Sequence, residues 1–489
     1  MTTILNRTAL IVSLFSLILA ACRKDHTPVY KVPSVNDSMF FLFKDQYLWN
    51  DVIPDSATFK PNSYAKTEDM FNALIAFNKR DGKNLDKYSF LDDGTVAGEI
   101  GGVSGGFGMT VNYNALNDLR VVSVYPGSPA YLKGVRRSWR ITAINGNTNL
   151  SYDGGGNNPG PNVKRVIDGI YYSNSTELTL QKPDSSSVTV TINAANFDIN
   201  PVLYSNILNL SGRKVGYIVF NQFIVKAKAQ PYLDPVFDNF ISNGITDLVV
   251  DLRYNGGGAV ETAEYLADLI APTAVGTDIN LMYTENFNTN LSAHRYSNYL
   301  RTRMVPGYDF SYGTLFDSWV AYAATPFKKA KSLNLSKVAF IGTGQTASAS
   351  ELLINVLKPY MTVKLVGDTT YGKPVGFVGM TIGKFDMYAV SIWSKNMAGV
   401  GDYFDGMIPD DASAVIPAEK YEDYSKDWGS TDEIYLRRAL KIMGVTVPAQ
   451  LMSRTGLKEP ASNRKLMIRN PMPDLNFKGM IETRERIIR

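Results

Sequence analysis

The chain has 489 residues, of which 45% are apolar and 20% charged, enough for two to four domains with ample cores. A formal net charge of +4 is small for this length and gives no reason to expect a nucleic-acid partner. The single cysteine, Cys22, has no disulfide partner and excludes a cysteine-based zinc or catalytic centre, and the two histidines, His26 and His294, leave few imidazole bases.

Residues 1–22 read as a targeting segment. Arg7 gives a positive start, Ala9 to Leu19 form an apolar stretch too short to span a bilayer comfortably, and Leu19-Ala20-Ala21-Cys22 supplies a small-residue cleavage site. The site resembles a bacterial lipobox. That resemblance implies cleavage before Cys22, lipidation of its thiol and a membrane as partner through the anchor. The expected location is the bacterial cell envelope, at the outer membrane, facing the periplasm or the surface. A polar linker, 23–34, follows.

From 35 to 99 the pattern is helical. Phe40, Phe41, Phe43, Tyr47 and Trp49 cluster aromatics, and Met70, Leu74 and Phe77 recur at helical spacing behind Lys66-Thr67-Glu68-Asp69. These aromatics suit a core better than a ligand cage. Residues 100–196 then change to short strands and turns. Gly106, Phe107 and Gly108 form a loop whose successive N–H groups can capture a terminal carboxylate, and the strand edge beyond it can accept an extended peptide. With Ser128-Pro129-Ala130 and Ile144-Asn145-Gly146 downstream, the segment resembles a PDZ domain. It departs from that pattern at Ser138-Trp139-Arg140 and in a polar insert, Tyr152 to Asn162, ahead of a helix expected over Val163 to Tyr172.

Residues 197–425 alternate strand and helix, which implies a mostly parallel sheet. Strands are expected at Val215–Phe220 and Thr246–Leu252, and helices at Tyr232–Ser242 and Ala259–Ala271. In such sheets sites gather where strand ends meet helix starts. A polar, aromatic-rich insertion, about 273–334, reads equally as a lid or extra subdomain over the site and as a surface loop. The tail, 426–489, holds one clear helix, Asp432 to Met443, and carries no legible chemistry.

Chemistry concentrates in three stretches. Val338-Ala339-Phe340-Ile341 is a strand, Gly342 to Ser348 a turn, and Leu352 to Leu357 a helix. A serine at that junction exposes its hydroxyl to the unpaired N–H groups and dipole of a helix start, where an oxyanion would be stabilised, so Ser348 is the candidate nucleophile. The plainer alternative is that Thr346, Ser348 and Ser350 only cap the helix. A serine hydroxyl also needs a base. His294 lies in a polar, Asn-rich segment without a strand-end signal, whereas Lys373 follows the glycine-marked turn Gly367 to Gly372 among Pro374, Val375 and Phe377. Burial there would disfavour its charge.

Thr346-Ala347-Ser348-Ala349-Ser350-Glu351, Tyr371-Gly372-Lys373 and Asp251-Leu252-Arg253-Tyr254-Asn255-Gly256-Gly257-Gly258 together resemble the C-terminal processing, or tail-specific, serine peptidases. The resemblance implies an α+β multidomain protein with a small helical N-terminal domain, a PDZ-like β-rich domain and a crotonase/ClpP-like α/β catalytic domain. It also implies a polypeptide substrate, Ser348 as nucleophile, Lys373 as general base and an oxyanion hole from the amides of Ala349 and Gly257. Glycine suits that last role because the backbone must approach the substrate closely. Where many members place a glutamine four residues after the lysine, this chain has Phe377, so the third member of the site stays open. Arg253, supported by Asp251, reads as the residue holding the glycine turn, and Gly401 to Asp410 resembles the closing turn of the family.

Two other readings compete. Gly367 to Lys373 matches seven positions of a phosphate-binding loop, but the eighth is Pro374 rather than Ser or Thr, and no helix pattern starts at the lysine. No metal-ligand spacing appears and no cofactor is implied. The remaining rival is a catalytically silent peptide-binding lipoprotein on the same scaffold. Substrate identity, cleavage preference and oligomeric state are not legible.

Overall fold

The computed structural model describes residues 33–80, 83–155, 158–412, 422–448, 472–473 and 477–482. The leader 1–22 with its Cys22, the linker up to residue 32 and His26 lie outside them. Among the described residues no helix is long and apolar enough to cross a membrane.

The N-terminal helices α1, Val35–Gln46, and α2, Thr67–Ile75, pack through the expected aromatics. Ser34 caps α1 by accepting the Asp37 amide, which satisfies one of the donors a helix start leaves free. Inside, Phe43 stacks on Tyr47 with ring centroids 4.5 Å apart and meets Phe71 edge-on at 5.6 Å. The segment after α2 does more than connect: strand β1, Phe90–Asp92, pairs antiparallel with the distant strand Phe385–Asn396.

A second unit is a five-stranded antiparallel sheet of β2 (Met109–Ala115), β3 (Asp118–Val124), β4 (Arg140–Ile144), β5 (Ser175–Gln181) and β6 (Ser187–Asn193), joined in sequence order. Helix α3, Pro161–Tyr171, starts two residues before the expected Val163, with proline in its first turn where no amide partner is lost. Val163, Val166 and Ile170 bury its apolar stripe against Leu178, Leu180 and Ile192.

The third unit holds the mostly parallel sheet. Strands β7 (Val202–Leu210), β8 (Arg213–Phe220) and β9 (Asp247–Asp251) are followed, after β10 (Gly257–Ala259), β11 (Thr277–Asn286) and β12 (Ala324–Lys328), by β13 (Lys337–Gly342) and β14 (Thr362–Gly367). The order in this sheet is β7-β8-β9-β13-β14, with β8, β9, β13 and β14 parallel and β7 antiparallel to β8. Its helix α4, Lys226–Ser242, begins six residues before the expected Tyr232 and contains Pro231 and Pro235. Each proline removes an amide donor and so weakens the sequence signal, but Leu233, Phe237 and Phe240 pin the helix to the sheet. Helix α5 spans Val260–Ile270.

A second sheet contains β15 (Val375–Ile382), β16 (Phe385–Asn396) and β17 (Gly479–Ile481), in the order β10-β17-β15-β16-β11-β12 with β1 against β16. The insertion 273–334 therefore supplies two of its strands, together with helix α6, Tyr312–Ala321. Its described contacts run to the N-terminal helices: Tyr299 stacks on Phe41 at 4.7 Å, and Asn288 donates to the carbonyls of Asp45 and Tyr47. Helix α7, Ala349–Leu357, is buried along its whole length, and α8, Ile434–Ile442, covers the other face of the parallel sheet through Tyr435, Leu436 and Leu440.

Candidate active site

Because β9, β13 and β14 run parallel, their carboxyl ends open at one edge of the sheet. The glycine turn after β9, Ser348 after β13 and Lys373 after β14 therefore converge.

Hydrogen bonds sort the three hydroxyl residues of the serine turn. Thr346 Oγ1 donates to the Leu252 carbonyl at 2.7 Å and Ser350 Oγ to the Asn255 carbonyl at 3.0 Å, so these two clamp the serine turn to the glycine turn. Ser348 Oγ is buried and has no hydrogen-bond partner among the described residues, although a buried hydroxyl ordinarily finds one. Ser348 also has φ +58° and ψ −107°, a conformation that L-residues rarely adopt and that surrounding contacts must impose. A strained residue with an unspent hydroxyl at the head of a helix is what a nucleophile requires.

Glu351, one turn into α7, organises the surroundings. Its Oε2 accepts the amides of both Ser348 and Lys373, each at 2.8 Å. Its Oε1 accepts Thr370 Oγ1 at 2.5 Å and the Gly372 amide at 2.8 Å. One buried carboxylate thus fixes the serine turn against the lysine turn. In the sequence Glu351 only ends the motif Thr346 to Glu351, and its one local signal is the spacing Ser348-x-x-Glu351, which matches a capping box.

Lys373 is fully buried. Its Nζ donates to the Lys478 carbonyl at 2.8 Å and lies 3.6 Å from the centre of the Phe377 ring, with Tyr88 at 5.5 Å and Phe477 at 6.0 Å. Burial pulls its pKa well below the usual lysine range, and the negative charges of Asp86 and Glu351 only partly oppose this. The N-terminal unit closes the lysine turn from outside: Tyr88 O–H donates to the Gly372 carbonyl at 2.7 Å, while Asp86 is spent on Tyr47 O–H and on the Tyr88 and Ser89 amides. On the other side Met407 donates its amide to Thr370 Oγ1 at 2.7 Å, which seats the expected closing turn.

The glycine turn is held by charge. Arg253 is buried and pairs with Asp251 at 2.6 Å, Glu422 at 2.8 Å and Glu433 at 2.9 Å. Burial works against its charge, yet these carboxylates hold it protonated well above the usual range. Burial would likewise raise Glu422, but Arg253 and Arg137 hold it at about 2. At the turn itself Gly257 has φ +111°, and a Cβ there would stand 3.1 Å from the Ala349 amide, so its backbone and the head of α7 share one small space. The Gly257 amide donates to Asn255 Oδ1 at 2.9 Å in this state.

Gly106 and Gly108, with φ +91° and +68°, bracket Phe107 on the second unit. A cleft of about 250 Å³ runs from these residues to Gly256, Gly257 and Gln345. The expected peptide-binding loop and the glycine turn thus share one groove.

Other candidates separate from this place. His294 Nδ1 meets Asp317 Oδ1 at 2.6 Å on an exposed surface. Lys373 leads into strand β15, not into the helix a phosphate-binding loop needs. Among the described residues no cluster of His, Cys, Asp and Glu could hold a metal.

Comparison with known proteins gives a consistent result. Residues 214–399 match the family Peptidase family S41, and residues 34–90 match Peptidase S41 N-terminal domain. A carboxyl-terminal-processing protease of Picosynechococcus is 28% identical over 57% of this chain and 56% of its own length. A CtpA-like serine protease of Staphylococcus aureus is 25% identical over 56% of this chain and 46% of its own. The chain thus spans about half the length of the curated relatives it matches. An S41 protein of Bacteroides fragilis has the same fold, with a TM-score of 0.57, 23% identity and coverage of 84% of this chain and 98% of that one.

Proposed function

Because the chain belongs to peptidase family S41, we propose that it is a serine endopeptidase working through Ser348 and Lys373 on unstructured or C-terminal polypeptide segments. The observation that carries this reading is the shared Glu351 oxygen, which ties the backbone of an unpaired, strained serine to that of a lysine whose pKa burial pulls well below the usual range. A merely structural lysine would be expected to keep an ion-pair partner, and among the described residues Lys373 has none.

In the proposed reaction neutral Lys373 Nζ takes the Ser348 Oγ proton as the oxygen attacks the scissile carbonyl, then passes it to the leaving amine. Water activated by the same amine releases the acyl group. The Ala349 N–H at the head of α7 faces the oxyanion, and the Gly257 N–H becomes the second donor when it exchanges Asn255 Oδ1 for that charge. The second unit acts as a PDZ-like domain in which Gly106, Phe107 and Gly108 capture peptide. In the whole protein the body is tethered to a membrane through Cys22.

The rival, a silent peptide binder, draws on one observation: Lys373 Nζ donates to Lys478, not to Ser348 Oγ. Casein turnover by protein lacking residues 1–22, beside Ser348→Ala and Lys373→Ala, separates the two. Each substitution is expected to lower turnover by at least about 10⁴-fold. Equal turnover by all three would establish the binder.

A further inference from the structure

The segment Phe477–Glu482 occupies a place that a substrate would need. Its strand β17 is threaded between β10 and β15 and runs parallel to both, with Gly479 opposite Gly257, Met480 opposite Gly258, and Ile481 opposite both Ala259 and Phe377. Gly479 donates its amide to the Gly256 carbonyl at 3.0 Å, and Glu482 donates to the Phe377 carbonyl at 3.1 Å. The carbonyl of Lys478 takes the only hydrogen bond described for Lys373 Nζ, at 2.8 Å. The glycines are shaped around this passing main chain: a Cβ at Gly256 would stand 1.9 Å from the Phe477 oxygen, and one at Gly257 2.2 Å from the Gly479 oxygen. Upstream, Met472 packs with the core of the second unit and lines the cleft beside Gly106 and Gly108.

These contacts are mostly main chain to main chain, so they select an extended backbone more than a particular sequence. Side-chain demands are confined to a few positions. Met480 and Ile481 are buried among apolar residues of two different cores, and glycine stands at 479. A slot with two strand edges, open to an apolar strand, describes a peptide track, and the chain has filled it with its own sequence.

Resting on the peptidase reading above, we propose that Phe477–Glu482 is an internal occupant of the substrate track, which holds the site closed until an extended apolar segment of a polypeptide replaces it as the strand between β10 and β15. Displacement removes the Lys478 carbonyl from Lys373 Nζ and frees the amine for Ser348. Apparent affinity for an outside peptide is reduced by the fraction of molecules in which the track is filled, so emptying it raises both binding and turnover.

The test compares the full chain, a chain ending at residue 471, and a full chain carrying Met480→Asp with Ile481→Asp, each also with Ser348→Ala. A fluorescein-labelled peptide of residues 472–482 is expected to bind the two emptied Ser348→Ala proteins at least about tenfold more tightly than the full-length one, by anisotropy. With Ser348 intact, casein turnover is expected to rise about tenfold in both emptied proteins, and the peptide should inhibit them by raising KM with kcat unchanged. Equal peptide affinity for all three chains overturns the proposal. So does loss of a cooperative thermal transition in both altered chains, which would make the segment a plain part of the core. Tight peptide binding by the emptied chains with no casein cleavage in any of them would support the occupant while ending the peptidase reading.

Discussion

Arg253 and Lys373 are both buried cations at the carboxyl edge of one sheet, and they are treated oppositely. Arg253 meets three carboxylates within 2.9 Å, and its charge is secured. Lys373 meets a carbonyl and three aromatic rings, makes no ion pair among the described residues, and burial pulls its pKa well below the usual lysine range. Burying a cation with its partners gives a rigid brace; burying one without them lowers its pKa into the range a base would need. The brace also joins separate parts of the chain, because Glu422 accepts Arg137 of the second unit at 2.7 Å as well as Arg253. Position in the fold does not separate the two roles. The polar groups within about 3 Å of each cation do.

The comparison breaks most visibly at the brace. Arg253→Met leaves Asp251, Glu422 and Glu433 buried without their shared partner, and the expected cost is about 3–5 kcal/mol in urea unfolding. Loss of less than about 1 kcal/mol would show that the carboxylates are satisfied without the arginine.

At the lysine the same kind of change should act in reverse. Below its depressed folded pKa, Lys373 is charged in both states and its full burial cost opposes folding. Between that pKa and the ordinary 10.5 the unfolded chain holds a proton that the folded chain does not, so stability rises with pH across the window, and above it the cost is gone. Lys373→Met is therefore expected to raise the thermal midpoint at neutral pH by a few degrees, at roughly 2–4 °C per kcal/mol, and to lose that advantage as the pH nears 10.5. A midpoint that falls at every pH would mean that the Lys478 contact outweighs the desolvation.

Much of this contrast was legible in the sequence, for stated reasons. The apolar runs before Asn255, Ser348 and Lys373 mark three strand ends, and parallel order brings such ends to one edge, which makes the candidate site residues legible from pattern alone. Arg253, beside three glycines, reads in the sequence as the residue holding the turn by hydrogen bonding, with Asp251 as its support. Glu422 and Glu433, more than 160 positions away, carried no local sign of belonging to that brace. Phe477–Glu482 carries no local sign for a related reason: a strand of three residues has almost no periodicity, and its pairing depends on edges supplied from positions 257 and 377. The early start of α4 was hidden by its two prolines.

Phe377 gives the finest adjustment. Its ring lies 3.6 Å from Lys373 Nζ, at the position where the resemblance led one to expect glutamine. A ring face attracts the protonated amine by about 0.5–2 kcal/mol while excluding water from it. A carboxamide oxygen would accept a hydrogen bond from the ammonium, worth about 1.5–3 kcal/mol to a charged group, so Phe377→Gln is expected to favour the charged form on balance. The pH at which turnover reaches half its maximum should then move upward by roughly one unit or less, with the plateau at high pH little changed. A downward move would mean that the ring's attraction for the cation outweighs the carboxamide bond. An unchanged midpoint would mean that the ring does not tune the base, leaving the Lys478 carbonyl and the surrounding burial to set its pKa.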